Sequence, residues 1–105
     1  MDWVAGAVRR SGRPSVASMS ITGNYSQHVN DAAANLVSSG VTTIAAAGNS
    51  NKNVINFSPP STPSVITVGA SNITDARYGY SNYGSLVDIW APGMPMIDIE
   101  ITKTV

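Results

Sequence analysis

The side chains that could carry chemistry in this chain are hydroxyls, carboxylates and a single histidine. The 105 residues contain no cysteine, so a thiolate nucleophile is excluded. Nucleophilic catalysis by a hydroxyl needs a general base beside it, usually histidine. His28 lies in the first turn of a predicted helix, which favours a solvent-exposed side chain rather than a base. The carboxylates show no metal-ligand spacing, and no glycine-rich loop suited to phosphate is present. The inventory therefore predicts no self-contained active site.

One tetrapeptide stands out, Ala46-Ala47-Gly48-Asn49, which follows an apolar run. Open parallel sheets bind their ligands at the carboxyl ends of strands, and small residues there would line a pocket with backbone. Gly48 would allow a ligand chain to approach closely. The Asn49 amide could then donate to an oxygen that acquires negative charge, as in an oxyanion hole. Gly-Asn is also a common turn sequence, and the spacing alone leaves both interpretations open.

The elements that would position this tetrapeptide are a helix and a series of short buried strands. The helix is predicted to begin after Ser26, its N-cap, and to end before Gly40. One face carries the apolar stripe Val29, Ala32, Ala33, Leu36 and Val37, and the other carries Asn30, Asp31, Asn35 and Ser38. Strands are predicted at residues 15–21, 41–47, 64–70 and 86–91.

The first two strands flank the helix, which predicts a strand, helix, strand unit with parallel strands. The loops at residues 22–25 and 48–53 would then lie side by side at one sheet edge.

Residues 71–85 are polar and rich in glycine and asparagine, which predicts a surface loop or an irregular hairpin. Trp3, Val4, Ala7 and Val8 predict a short helix at the start. From Met96, the alternation of Ile97, Ile99 and Ile101 with polar residues predicts a half-buried strand.

Composition excludes several classes of partner. The chain is 43 % hydrophobic and 11 % charged, which is enough apolar content for a core. Six basic and six acidic residues leave a formal net charge of zero, so we expect neither nucleic acid nor a membrane surface as a partner. No apolar run approaches the roughly 20 residues of a spanning helix, and we expect no signal peptide in this chain.

The order of short motifs along the chain resembles the subtilisin-like serine proteases, in particular the branch that includes proteinase K. The motifs are Ser-Met-Ser-Ile (18–21), Val-Asn-Asp-Ala-Ala (29–33), Ser-Gly-Val (39–41), Ala-Ala-Gly-Asn (46–49), Thr-Val-Gly-Ala-Ser (67–71), Tyr-Ser-Asn-Tyr-Gly (80–84) and Pro-Gly (92–93). The resemblance implies an α/β fold, part of a three-layer subtilisin-like architecture with a mainly parallel sheet. It covers residues 1–93, and residues 94–105 form a divergent tail.

The resemblance assigns site residues by position. Asn49 would be the oxyanion-hole donor, and Ala46, Ala47 and Gly48 would form one wall of the primary specificity pocket. The segment Ser20, Ile21, Thr22 and Gly23 would form the facing wall and pair with substrate backbone, a binding mode open to any peptide. Thr22 replaces the family's usual glycine, so its side chain would crowd a bound peptide.

The resemblance also implies a structural Ca²⁺ site formed by the carbonyls of Pro63 and Val65 and by the carboxylate of Asp88.

In the family the catalytic Asp and His lie upstream of the region covered here, and the nucleophilic Ser lies downstream. We therefore expect this chain to be a protease fragment that is inactive alone, needs the remainder of the domain, acts on peptide or protein substrates and belongs outside the cell. A peptide- or protease-binding remnant without catalysis is the alternative. A flavodoxin-like ligand domain is disfavoured because no phosphate loop exists.

Overall fold

A computed structural model describes residues 1–93 of the chain. The strand predicted from Met96 onward lies outside the described residues. Within residues 1–93, two helices, one 3₁₀ turn and six strands occur in the order α1 (Asp2–Ser11), β1 (Val16–Met19), β2 (Gly23–Asn24), α2 (Gln27–Ser38), β3 (Thr42–Ala46), the 3₁₀ turn (Val54–Asn56), β4 (Phe57–Ser58), β5 (Ile66–Ser71) and β6 (Ile89–Pro92).

The main sheet has four strands in the order β1-β3-β5-β6, and every neighbouring pair is parallel. The predicted strand, helix, strand unit is therefore confirmed as β1-α2-β3. The short strands β2 and β4 pair separately and antiparallel, with Gly23 opposite Ser58. Because the four main strands are parallel, the segments after β1 and β3 leave the sheet at one common edge.

Helix α2 begins and ends where its sequence signals predict. The hydroxyl of Ser26 accepts the Val29 N–H at 3.3 Å, an N-cap bond of a kind that contributes about 1 kcal/mol. Past the C-cap Ser39, Gly40 has a φ of +96°, which glycine adopts without the cost a Cβ would add.

Both helices pack on one face of the sheet. Ala5 of α1 and Leu36 of α2 are buried together with Val41, and Ala17 and Met19 of β1 pack against them. A second cluster joins Ala33 to Ala45 and Val65.

The polar face predicted for α2 is wrong at one position. Asn30 is buried rather than exposed, with 8 % of its surface accessible. Its Nδ2 donates to Ser61 Oγ at 2.9 Å, so the polar segment after β4 packs against the helix and supplies a partner. Helical periodicity could not reveal that partner, which lies 31 positions away in the chain.

The opposite face of the sheet is largely open within residues 1–93. Val16, Ile66 and Ile89 point to this face by strand alternation and register, and their exposed fractions are 64 %, 40 % and 54 %. Parallel sheets are normally covered on both faces. Residues 1–93 thus cover one face of the sheet with helices and leave the other face largely exposed. No helix among residues 1–93 is long and apolar enough to span a membrane.

Candidate functional site

A cavity of about 420 Å³ lies at the carboxyl ends of the four parallel strands, where the sequence predicted a binding edge. Small side chains and exposed backbone line most of it. Among its lining residues are five of the predicted site residues: Ser20, Ala46, Ala47, Gly48 and Asn49. The end of β1 and the end of β3 therefore meet at one concavity, as the parallel arrangement requires.

Asn49 is exposed at this cavity, immediately after Gly48. Gly48 has a φ of +103°, a conformation that side chains rarely adopt. A Cβ built on Gly48 would lie 2.6 Å from Asn82 Nδ2 and 3.1 Å from Thr22 Oγ1. Glycine is thus required here for two reasons, backbone conformation and lack of space.

The four residues of the second predicted wall, 20–23, lie in different environments. Ser20 lines the cavity, whereas Ile21 is 65 % exposed. Thr22 lies against Gly48, since its Oγ1 and Cγ2 are 3.1 and 3.2 Å from the position of a Gly48 Cβ. Gly23 belongs to β2 and pairs with Ser58. The two proposed walls are therefore in contact through the Thr22 side chain.

The polar segment 71–85, predicted to be a surface loop or an irregular hairpin, is mostly exposed and has one antiparallel bridge, between Ser71 and Arg77, but part of it is buried. Ser81 and Asn82 have exposed fractions of 1 % and 0 %. Asn82 Oδ1 accepts the N–H groups of Ser50 and Lys52, each at 3.0 Å, and its Nδ2 donates to the Ala47 carbonyl at 2.8 Å. Sequence patterns do not reveal these residues, because a polar side chain in a polar segment gives no sign of burial until its partners are known.

A second contact links the same segment to the 48–53 loop. The Arg77 guanidinium donates to Asn51 Oδ1 and to the Ser81 carbonyl, both at 2.8 Å, and lies 5.0 Å from the Tyr83 ring centroid. Cation–π contacts of this kind contribute modestly at exposed sites, about 0.5–1 kcal/mol. The arginine therefore helps to hold two loops together.

The residues predicted to hold Ca²⁺ lie near the opposite, amino-terminal edge of the sheet. Asp88 precedes β6, and its Oδ2 accepts the Thr67 N–H of β5 at 2.7 Å. Val65 is buried just before β5, while Pro63 is exposed. Within residues 1–93 no group of three or more His, Asp or Glu side chains could hold a metal ion. His28 is exposed on α2, as predicted.

These features define an α/β chain whose parallel sheet presents a cavity lined mainly by small residues. The sequence model of the subtilase family, Peptidase S8, matches residues 1–105. The chain belongs to the subtilase family.

Among curated relatives, Proteinase R of Parengyodontium album is 52 % identical over 103 residues, covering 96 % of this chain and 27 % of the relative. The Cuticle-degrading protease of Metarhizium anisopliae is 53 % identical over 103 residues, covering 96 % and 26 %. This chain thus spans about a quarter of the length of these relatives.

Among solved structures, a cold adapted subtilisin-like serine proteinase superposes with a TM-score of 0.81 at 44 % identity. The match covers 88 % of this chain and 33 % of that protein. The predicted fold class, a partial subtilisin-like α/β fold with a mainly parallel sheet, is confirmed.

Proposed function

We propose that this chain is the part of a subtilisin-like serine endopeptidase that supplies the oxyanion donor and the specificity-pocket walls. Asn49 donates its amide to the carbonyl oxygen of the scissile peptide as that oxygen becomes negatively charged. Residues 20–23 and 46–48 hold the substrate, a peptide or protein. The observation that supports this most is the cavity at the strand ends, where Ser20 and Asn49 lie together.

The physical role of such a donor is electrostatic. A tetrahedral intermediate concentrates charge on one oxygen, and a fixed N–H dipole in a site with little water stabilises that charge more than the neutral carbonyl. The nucleophile and its base would come from other parts of a complete protease domain. Consistent with family resemblance, we place the parent enzyme outside the cell.

The test is a chimera of Proteinase R in which residues 1–93 of this chain replace the matching segment, called below the Proteinase R chimera. We expect the chimera to hydrolyse a chromogenic peptide, and we expect the isolated 105-residue chain not to react with a serine-directed fluorophosphonate. A folded chimera without hydrolysis, or labelling of the isolated chain, would contradict the proposal. Peptide binding by the isolated chain, measured by titration, would favour the alternative function of a non-catalytic binding module if the folded chimera is inactive.

Thr22 is expected to restrict the side chain accepted by the pocket. Its β-branched side chain is stiff and extends from the 20–23 wall to Gly48 of the other wall. In the Proteinase R chimera, Thr22→Gly should raise the ratio of kcat/KM for a phenylalanine substrate to that for an alanine substrate by about tenfold or more. Thr22→Ser, which removes only the Cγ2 methyl, should give a smaller increase. An unchanged ratio in both variants would show that Thr22 does not limit the pocket.

We also propose a structural Ca²⁺ site at Pro63, Val65 and Asp88. Oxygen donors suit this cation, and Asp88 has capacity to spare because the Thr67 N–H occupies only one of its two carboxylate oxygens. When bound, the ion would supply positive charge that holds the segment before β5 beside the start of β6. The site would serve stability rather than the chemical step.

Calcium is therefore expected to raise the thermal midpoint of the 105-residue chain relative to the same chain in chelator. A site with a Kd of about 10⁻⁴–10⁻³ M, in 10 mM Ca²⁺, would contribute about 1.4–2.7 kcal/mol. Asp88→Asn keeps an oxygen for the Thr67 N–H but loses the charge, and should abolish the calcium effect. Asp75→Asn, at an exposed carboxylate, is the matched control. A calcium effect that persists in Asp88→Asn places the ion elsewhere.

A further inference from the structure

Asn82 contacts the chain on both sides of Asn49. Its backbone N–H donates to the Gly48 carbonyl at 2.9 Å, just before Asn49, and its Oδ1 accepts the Ser50 N–H at 3.0 Å, just after it. Oδ1 also accepts the Lys52 N–H, and Nδ2 donates to the Ala47 carbonyl, so the hydrogen bonds of Asn82 extend over residues 47–52. The Asn82 side chain therefore bonds to three residues of the segment that carries Asn49: Ala47, Ser50 and Lys52.

Asn82 is in turn connected to β5 through its neighbour Ser81. Ser81 Oγ accepts the Ala70 N–H of β5 at 3.0 Å and donates to the Asn82 carbonyl at 2.9 Å. Asn82 is wholly buried, and both atoms of its amide are hydrogen bonded. A buried, hydrogen-bonded amide of this kind strongly favours one arrangement, because moving it would leave buried donors and acceptors unpaired.

Gly48 complements this arrangement. The absence of a Cβ at Gly48 leaves the space that the Asn82 amide occupies, since a Cβ there would lie 2.6 Å from Nδ2. The 48–52 loop and Asn82 are thus shaped to each other. Asn49 itself is exposed at the cavity, and the hydrogen bonds that hold its loop within residues 1–93 are made by the residues around it.

We propose that Asn82 is a positioning residue for catalysis, which fixes the 48–52 loop so that the Asn49 amide is held ready at the cavity. The proposal rests on the oxyanion function proposed for Asn49. Pre-organised donors stabilise developing charge without reorganising during the reaction, and small displacements of such a group are costly. Asn82 acts through Asn49 and does not touch the substrate.

A double-mutant cycle in the Proteinase R chimera tests this proposal. We expect Asn82→Ala to lower kcat about 10- to 100-fold with less than a threefold change in KM, since the donor acts on the transition state. In the Asn49→Ala background, Asn82→Ala should lower kcat by less than about threefold, because the group it positions is already gone. Asn82→Asp retains an oxygen for Ser50 and Lys52, and its kcat should lie between those of the parent chimera and Asn82→Ala.

Asn30→Ala provides a matched control for loss of a buried asparagine. Asn30 is also buried and bonded through its amide, to Ser61, but contacts no residue of the 48–52 loop through a hydrogen bond in the described residues. We expect it to lower the unfolding midpoint in urea while kcat stays within about twofold of the parent chimera. If Asn82→Ala does not fold, the same cycle is run with Asn82→Asp.

The outcomes separate the two proposals. If Asn49→Ala lowers kcat while the Asn82 variant leaves kcat unchanged, or lowers it equally in both backgrounds, the positioning role is wrong and the function of Asn49 stands. If Asn49→Ala itself leaves kcat unchanged, the proposed oxyanion function fails first. A drop in kcat for Asn30→Ala equal to that for Asn82→Ala would assign the effect to general destabilisation.

Discussion

Replacing Asn49 with alanine in the Proteinase R chimera is expected to lower kcat about 100- to 1000-fold while KM changes little. This magnitude is the one known for the oxyanion asparagine of subtilisin, a member of the same family, and corresponds to roughly 2.7–4 kcal/mol of transition-state stabilisation. The reason is that, in the proposed function, the amide donates to an oxygen whose full negative charge exists only near the transition state. Substrate binding in the ground state has little need of it.

The measurement is steady-state hydrolysis of one peptide at saturating and limiting concentrations. Ser50→Ala is the matched control, since Ser50 follows Asn49 in the same loop, is also exposed, does not line the cavity, and as alanine keeps the backbone N–H that bonds to Asn82. We expect its kcat to remain within about threefold of the parent chimera. Equal losses in both variants would mean that the loop as a whole, and not the Asn49 amide, supports catalysis.

Gly48→Ala is expected to lower the free energy of unfolding by about 2–6 kcal/mol, because two separate costs add. A non-glycine residue at a strained positive φ costs roughly 1–3 kcal/mol, and forcing an extra methyl into a packed site typically costs about 1–3 kcal/mol more. The methyl would meet Asn82 Nδ2 at 2.6 Å. That amide cannot withdraw without losing its bond to the Ala47 carbonyl.

Gly40→Ala separates the two contributions. Gly40 has a similar φ, +96°, but a Cβ at this position would meet nothing within 4 Å, so this variant measures backbone strain alone. Urea denaturation of the 105-residue chain should give a larger loss for Gly48→Ala than for Gly40→Ala, by about 1–3 kcal/mol. Equal losses would mean that the loop shifts away from Asn82 at no cost, and would weaken the case for a tightly held loop.

Local signals in the sequence were sufficient for most of the framework. Helix α2 follows from the Ser26 cap, the apolar stripe and Gly40, because each of these acts within a few residues along the chain. The parallel pairing of β1 with β3 follows from the helix between them, since such a connection joins parallel strands. The place of Asn49 at the end of β3 then required only that parallel strands end at one edge.

Contacts between residues distant in sequence were decided only by the tertiary structure. Asn82 is 32 positions from Ser50 and 35 from Ala47, and Asn30 is 31 from Ser61, so no periodicity or local motif pairs them. Polar side chains are read from sequence as exposed because an unpaired buried amide is costly, and only the fold reveals which of them have found partners. The sequence thus predicted an asparagine at the end of a parallel strand, whereas the fold determined which buried asparagine bonds to the residues on either side of it.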